Sequence, residues 1–334
     1  MNRLRKLLFI RVDRIGDLVL TLPVDQSLDT AKNEITWWIS QGLEFIAEAS
    51  QKKRTFLTVN KLRPWREFWR LYSWLKANPT DVSILFHGPW WLSLACFLAG
   101  VPTRGGRLSQ WHSYLFLNKG LRQSRSQSAK HESEYNFELA SYVLSIPYVS
   151  KPHLELRIPE AGTLLKKFNL EPKSYLMVHP GMGGSSRNAN SEYYISLISK
   201  YLEKTIVVIT GTKSDLPFIA PLFEKLRGFN NIIWLNEKLS GREVIAVAQE
   251  AQMVIAPSTG VMHLAASTGV KTLGIFSPVQ TQSSKRWGPR GRDVSVIAPT
   301  VTCPGVNDCQ WQACPYFDCM DTLPNLEITP MGHT

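Results

Sequence analysis

A chain of 334 residues is long for one hydrophobic core and suits two domains of roughly 150 residues each. With 44% hydrophobic and 19% charged residues it is globular, which excludes a disordered or fibrous polypeptide. The formal charge of +11 predicts attraction to polyanions such as nucleic acid, anionic lipid or phosphorylated substrates, and eleven Trp add an aromatic content common at membrane interfaces.

The apolar run near the N-terminus, Leu7–Ile10, is interrupted by Arg11, Asp13 and Arg14. It is too short for a signal-peptide core or a membrane span and predicts a buried first strand. No other stretch is long enough to cross a bilayer, so the expected location is cytoplasmic, with contact limited to the membrane surface. Residues 11–17 read as a polar turn and Leu18–Leu28 as a helix with Pro23 near its start, the first β-turn-α unit of a doubly wound fold. Asp17 then lies at the rim of the crevice where such folds bind ligands. As a first-turn carboxylate it also suits the helix dipole.

Ile35–Ile39 is the next strand. The segment Gln51–Lys76 turns basic and aromatic, and a helical wheel gathers Leu62, Trp65, Phe68, Trp69 and Tyr72 on one broad face. Arg63, Arg66 and Arg70 form a narrow stripe opposite. Such a helix either packs its apolar face on a core or presents a basic-aromatic edge to an anionic, partly lipidic acceptor. Val82–Phe86 is a strand and Trp90–Ala99 a helix. Residues 119–133 read as a mobile polar loop able to join acceptor or membrane binding, and Glu132–Leu144 is helical by periodicity. Four prolines between Ile146 and Pro172 mark a domain boundary. The expected division is 1–155, a linker at 156–172, and 173–334.

The second half repeats the alternation. Tyr175–Val178 is a strand, and residues 179–187 supply three glycines, two serines and Arg187 directly after it, which suits a phosphate cradle. Helix Ser191–Leu202, strand Thr205–Ile209, the turn Thr210–Asp215, a further helix, strand Ile232–Leu235 and helix Gly241–Glu250 follow. Strand Met253–Pro257 leads into Ser258-Thr259-Gly260-Val261-Met262-His263, with a helix opening at Leu264 and a strand at Val270–Phe276. A small-residue turn before a helix can hold an anion: Ser258 and Thr259 are caps, and Gly260 admits a ligand close to the backbone. The fold class is α/β, two doubly wound Rossmann-like domains facing a cleft.

Of five cysteines, Cys303, Cys309, Cys314 and Cys319 cluster. In a cytoplasmic protein they are not expected to form disulfides. The paired Cys-x-x-Cys spacing of zinc sites is missing, so they are read as unligated thiols pinning a C-terminal loop, with a structural zinc as the alternative.

Arg11-x-x-x-x-Gly16-Asp17 with Leu22-Pro23, His179-Pro180-Gly181 with Arg187-Asn188, and Ser258-Thr259-Gly260-x-x-His263-Leu264-Ala265-Ala266 stand in the order found in bacterial heptosyltransferases, glycosyltransferase family 9. The chain resembles that family from residue 7 to about 290, and its clustered cysteines also look like those of many members. The resemblance implies the glycosyltransferase-B arrangement, with an N-terminal acceptor domain and a C-terminal donor domain. It implies transfer of heptose from ADP-heptose to lipopolysaccharide inner core, by inverting displacement, with no metal or other cofactor for catalysis.

The family's catalytic aspartate falls on Asp17. The donor diphosphate is then expected to meet Ser185, Arg187, Thr259 and Gly260, with His263 lining the pocket and Asp215 near an acidic family position more often Glu. Ser258 departs from members that carry Asp there, which bears on the donor's identity. Arg11 matches a basic position suited to acceptor or diphosphate, and Arg63, Arg66 and Arg70 are acceptor candidates. No Asp-x-Asp pair is present, so protein donors rather than a metal are expected to steady the leaving group. The anionic acceptor implies peripheral contact with the cytoplasmic face of the inner membrane. Another nucleotide sugar or acceptor, or a non-catalytic nucleotide-sugar-binding homologue, is the competing reading. Nucleic-acid binding rests on charge alone, with no recognisable motif.

Overall fold

The computed structural model describes residues 3–184 and 186–324. The chain forms two compact units, one running to Pro159 and taking in Ser267–Gly269, the other made of Glu160–Ala266 and the chain from Val270 onward.

In the first unit, β1 (Arg5–Arg11) is followed by α1 (Ile15–Val19), β2 (Asn33–Ser40) and α2 (Glu44–Ala49). Then come β3 (Thr55–Val59), α3 (Pro64–Ala77), β4 (Val82–His87) and α4 (Trp90–Leu98). The unit continues through β5 (Thr103–Arg107), α5 (Trp111–Phe116), β6 (Lys119–Leu121) and α6 (Glu132–Leu144). All six strands are parallel in the order β3-β2-β1-β4-β5-β6. Strands covered on both faces need continuous apolar runs, which is why Leu7, Leu8, Phe9 and Ile10 are all buried. Phe9, Trp37 and Phe86 form one aromatic cluster, with Phe9 edge-on to Trp37 at 5.1 Å. Leu8, Ile10 and Trp38 pack instead with Phe68, Leu71 and Leu75 of α3 and Leu92 and Ala95 of α4.

The second unit holds α7 (Ala161–Leu165), β7 (Tyr175–Val178), α8 (Ser191–Leu202), β8 (Ile206–Ile209), α9 (Leu216–Leu226) and β9 (Ile232–Trp234). It is completed by α10 (Gly241–Glu250), β10 (Met253–Pro257), α11 (Gly260–Thr268), β11 (Lys271–Ile275), α12 (Ser284–Trp287) and β12 (Val294–Ile297). Its parallel order, β12-β11-β10-β7-β8-β9, is the same winding read from the other edge. Both sheets start at the centre, build outward on one side, then cross back to the other, as Rossmann-like folds do.

Four expectations change. The single helix over 18–28 is broken: α1 ends at Val19 and a separate 3₁₀ turn spans Leu22–Asp25. Pro23 lacks an N–H and would collide with the carbonyl four residues back. Asp25 is also captured elsewhere, accepting from Arg54 Nε and Nη2 at 2.7 and 2.8 Å and from Trp37 Nε1 at 2.9 Å.

The aromatic face of α3 is divided. Phe68 is buried, whereas Trp65 and Trp69 are 66% and 60% exposed, because the sheet takes the Phe68/Leu71/Leu75 stripe. Residues 119–133 are not a loose loop: they contain β6 and a 3₁₀ turn, and Arg125 is buried in an ion pair with Glu132. The helix expected from Leu264 opens at Gly260.

Strands β3, β5, β6 and β12 have no counterpart in the sequence reading. Thr103-Arg-Gly-Gly-Arg107 carries no strand signature, yet it must be small: a Cβ on Gly105 would overlap Val143 of α6.

Candidate active site

The crossing-back of the first sheet falls between β1 and β4, and open α/β sheets bind ligands outside the carboxyl ends of their strands at that point. The register shifts between Ile10 and Arg11, so that Arg11 pairs with His87 at the end of β4. A cavity of about 700 Å³ opens there, lined by Val12, Asp13 and Arg14 after β1 and by His87, Gly88 and Trp90 after β4.

Arg11 is 2% exposed. Its Nε and Nη2 donate to the Asp13 carboxylate at 3.0 and 2.8 Å, and Nη2 also donates to Asp17 Oδ1. Nη1 reaches Asn136 Oδ1 at 3.4 Å. Asn136, from α6, in turn donates to Thr21 Oγ1 at 3.0 Å, and Thr21 donates to the Asp17 carbonyl at 2.6 Å. Asp17 is therefore held at both its carboxylate and its backbone while its side chain stays 18% exposed. Burial by itself would lower the Arg11 pKa; Asp13 and Asp17 more than offset it, and the guanidinium is held above its ordinary value.

Burial raises Asp13 from 3.8 to about 6, with Arg11 opposing the rise and Asp17 adding to it. His87 shows surface to solvent, yet protein crowds the rest of its ring. Desolvation first, and the Arg11 charge second, push its pKa down to about 4.

In the second unit the crossing-back lies between β7 and β10, so the loops after those strands flank it. His179 N donates to Ile255 O at 2.9 Å, tying the two loop bases together. The His179 ring is buried, contacts Thr210 Oγ1 at 3.1 Å and lies 3.9 Å from Asp215 Oδ2; desolvation lowers its pKa against the pull of that carboxylate. A cavity of about 440 Å³ lies beside the loop after β7, lined by Met182, Ser186, Arg187, Asn188, Phe218 and Trp311 among others. Among the described residues, the buried hydroxyls of Ser186 and Thr259 have no hydrogen-bond partner.

The expected site residues therefore fall in different settings. Asp17 is accessible at the first crossing-back. Arg11 beside it is not presented to a ligand directly; its guanidinium is used up by Asp13, Asp17 and Asn136. Arg63 and Arg66 are exposed, but Arg70 is anchored: it pairs with Glu67, donates to Thr58 O and lies 4.9 Å from the Trp38 ring centre.

Arg187 lines the second cavity, held between Trp311 and Phe317 at 5.0 and 5.2 Å and donating to Phe317 O. Asp215 is 4% exposed and accepts from Thr212 N and Oγ1 at 2.8 and 2.7 Å, which makes it an ordering group beneath the loop rather than a surface ligand. Thr259 and Gly260 open α11, and His263 is buried one turn on. Neither Thr259, Gly260 nor His263 lines the 440 Å³ cavity. Ser185 lies outside the described residues.

The four clustered cysteines are free thiols. Cys303, Cys309 and Cys314 each accept a backbone N–H from two residues on at 3.4 Å, and Cys319 is buried with Met320 and Leu323 in the core of this unit. Among the described residues no group of three or more His, Cys, Asp or Glu is arranged to hold a metal ion.

Asp13, Asn136, His87, Trp311 and Phe317 belong to these sites without having been singled out. Asp13 stood in plain view two residues after Arg11. The others come from distant parts of the chain and carry no local signal.

A model of glycosyltransferase family 9 (heptosyltransferase) matches residues 68–308. The chain belongs to that family. A Haemophilus influenzae protein named "Putative glycosyltransferase" is 27% identical over 304 residues, covering 86% of each chain. Among solved structures, a family 9 glycosyl transferase from Veillonella parvula superposes with a TM-score of 0.76 at 17% identity, over 88% of this chain and 86% of that one. The E. coli ADP-heptose lipopolysaccharide heptosyltransferase II gives 0.74 at 16% identity, over 89% and 92%. The two parallel six-stranded sheets of this glycosyltransferase thus match the glycosyltransferase-B fold. No helix among the described residues is long and apolar enough to cross a membrane.

Two measurements probe this architecture. A Cβ on Gly181 would overlap the buried Asp215 carboxyl, so Gly181→Ala in this glycosyltransferase is expected to cost about 1–3 kcal/mol in urea unfolding. An unchanged midpoint would mean the loop yields freely. Asp13 binds its proton more tightly folded than unfolded, so wild-type stability should fall as pH rises from about 4 to about 6 on this account. Asp13→Asn removes that penalty. Its stability relative to wild type should grow across that window and be flat below it; a gap that shrinks with rising pH would reverse the assignment.

Proposed function

We propose that this glycosyltransferase moves heptose from ADP-heptose to an anionic inner-core acceptor of lipopolysaccharide, by metal-independent displacement with inversion at the anomeric carbon. The first unit takes the acceptor and the second the nucleotide sugar. The observation that carries the reading is the pair of buried, unpartnered hydroxyls, Ser186 and Thr259, in the loops that flank the second crossing-back. An unpaired buried hydroxyl costs on the order of 1–3 kcal/mol, and a phosphate-bearing ligand would relieve both. The likeness to the E. coli ADP-heptose lipopolysaccharide heptosyltransferase II supports ADP-heptose as the donor.

In this reading the acceptor hydroxyl oxygen bonds to the anomeric carbon as the bond from that carbon to the diphosphate breaks. The proton passes to the Asp17 carboxylate and the electron pair leaves with ADP. Arg11 positions Asp17 by fixing one carboxylate oxygen, which leaves the other free for the proton. The charge growing on ADP is met by Arg187, the hydroxyls of Ser186 and Thr259 and the Gly260 N–H, with His263 behind them. Asp215 keeps the Gly181 loop in shape, and Arg63 and Arg66 attract the anionic acceptor. With no Asp-x-Asp pair in the chain, oriented protein donors take the part a metal plays in other glycosyltransferases.

ADP release from ADP-heptose, with and without a lipid A–Kdo acceptor, tests the whole reading. Wild type should release ADP only with acceptor, and Asp17→Ala should be slower by roughly a hundredfold or more. Silence under every acceptor condition, or a preference for UDP- or GDP-sugars, would sink it. Arg187→Gln should weaken ADP binding by about tenfold or more, read by calorimetry, since a charge-assisted contact to phosphate is lost.

A further inference from the structure

Helices α3, α4 and α5 pack in sequence against one another, and α3 and α4 cover the same face of the first sheet. Their inward stripes are satisfied by the core. Their outward sides also carry large apolar residues. On α3, Trp65 and Trp69 are exposed; on α4, Phe97 and Leu98 are 42% and 51% exposed; on α5, Trp111 and Leu115 are each 62% exposed. The aromatic rings run continuously from α4 to α5, with Trp90 6.1 Å from Trp111, Trp111 6.3 Å from Phe116, and Phe116 5.6 Å from Phe97. Exposed apolar surface of this kind, continuous across α4 and α5 and joined by the two Trp of the adjacent α3, marks an interaction site.

Two features identify what covers it. The first is charge. Between residues 61 and 116 the chain carries seven Lys or Arg against two acidic residues, Glu67 and Asp81. Both acidic residues are neutralised in the fold, by Arg70 and Arg3 respectively, while Lys61, Arg63, Arg66 and Lys76 are exposed. Trp with Lys and Arg on one face is the composition that settles at the headgroup level of an anionic bilayer, apolar parts in the acyl boundary and cations among the phosphates.

The second feature is continuity with the candidate site. Trp90 and Trp111, the first residues of α4 and α5, line the 700 Å³ cavity, and Lys61, three residues ahead of α3, lines it too. The apolar surface begins at the mouth of the cavity that contains Asp13 and borders the Asp17 site.

We propose that the α3–α5 face docks on an anionic membrane surface and delivers a lipid-anchored acceptor from that surface into the cavity behind Trp90 and Trp111. The delivery step rests on the acceptor role proposed above for the first unit; the docking does not. The mode proposed is peripheral, through side chains on the outer side of helices whose inner side is packed on the sheet. The acyl chains of the acceptor stay in the bilayer, its anionic head passes the two Trp rings, and Arg63 and Arg66 hold the headgroup layer.

Flotation with the full-length protein tests this, using vesicles of phosphatidylcholine alone and with about one third phosphatidylglycerol. The protein should bind the anionic vesicles, lose binding as salt rises, and ignore the neutral ones. Arg63→Gln/Arg66→Gln and Trp65→Ser/Trp69→Ser should each weaken binding by about tenfold or more. Arg63 and Arg66 are exposed and Trp65 and Trp69 are more than half exposed, touching the core through the Phe68 ring, and unchanged thermal midpoints would confirm that the variants fold.

Absence of binding to anionic vesicles, or binding indifferent to both variants, overturns the proposal. So does concentration-dependent self-association abolished by Trp65→Ser/Trp69→Ser, which would assign the face to a second copy of the chain. Transfer by wild type to a water-soluble acceptor stripped of acyl chains reads the enzymatic function separately, so loss of that function and loss of docking are told apart.

Discussion

Arg11 ends β1 with almost no access to water, and a guanidinium there survives only because carboxylates meet it. Desolvating an ion costs several kcal/mol, and removing one partner of a buried pair typically costs about 3–5 kcal/mol. The site is therefore built around the cation. Asp13 and Asp17 share it, Asn136 caps its far side, and the same Asn136 reaches through Thr21 to the Asp17 backbone. One consequence is geometric: Asp17 has a fixed oxygen and a free one. Another is electrostatic, since burial raises the pKa of Asp13 against the pull of Arg11, and the neighbouring Asp17 carboxylate adds to the rise. The buried pair in this unit thus specifies an orientation, and the stability of the fold comes from the apolar sheets around it.

Both units use the same winding, and both put their reactive groups where the winding reverses. This follows from the parallel sheets. Neighbouring strands whose connections leave in opposite directions open a gap between their loops, and the N–H groups and side chains of those loops face into it. In the first unit the gap is walled by the loops after β1 and β4; in the second, by the loops after β7 and β10. The cavity beside the loop after β7 is lined by Ser186, Arg187 and Asn188 among others. The cavity at the first gap is lined by Asp13, Arg14 and Lys61 and by the rings of Trp90 and Trp111. Trp311 and Phe317, from the cysteine-rich segment, clasp Arg187 from outside the sheet, which gives that segment a role beyond covering the core.

The helical layer α3–α5 shows how a single unit reconciles folding with exposure. Phe68, Leu71 and Leu75 on α3, and Leu92 and Ala95 on α4, are enough to seat both helices. Trp65 and Trp69 touch that core through the Phe68 ring and stay more than half exposed, with Arg63 and Arg66 exposed on the same segment. The membrane docking proposed above uses this exposed side.

The sequence by itself determined the class of the fold, the alternation of most central strands and helices, and the three motif blocks, because buried parallel strands must be unbroken apolar runs and motif residues cluster locally. Asp17 was legible for that reason. Strands β3, β5, β6 and β12 were not: β5 and β6 carry glycine, and β3, β6 and β12 lie at sheet edges, each held by a single neighbour. Periodicity showed that α3 is amphipathic, but the sheet's position decided that Phe68 goes in while Trp65 and Trp69 stay out. Pro23 announced a break in the first helix; that Asp25 would use the freedom to meet Arg54 and Trp37 depended on tertiary contacts. Arg11 and Arg70 read as ligand-facing cations and became anchors, Arg11 buried and Arg70 partly exposed, since a charge in sequence carries no information about what will be folded against it. The chain's composition named the reagents, and only the packing decided which of them hold the structure and which face the substrate.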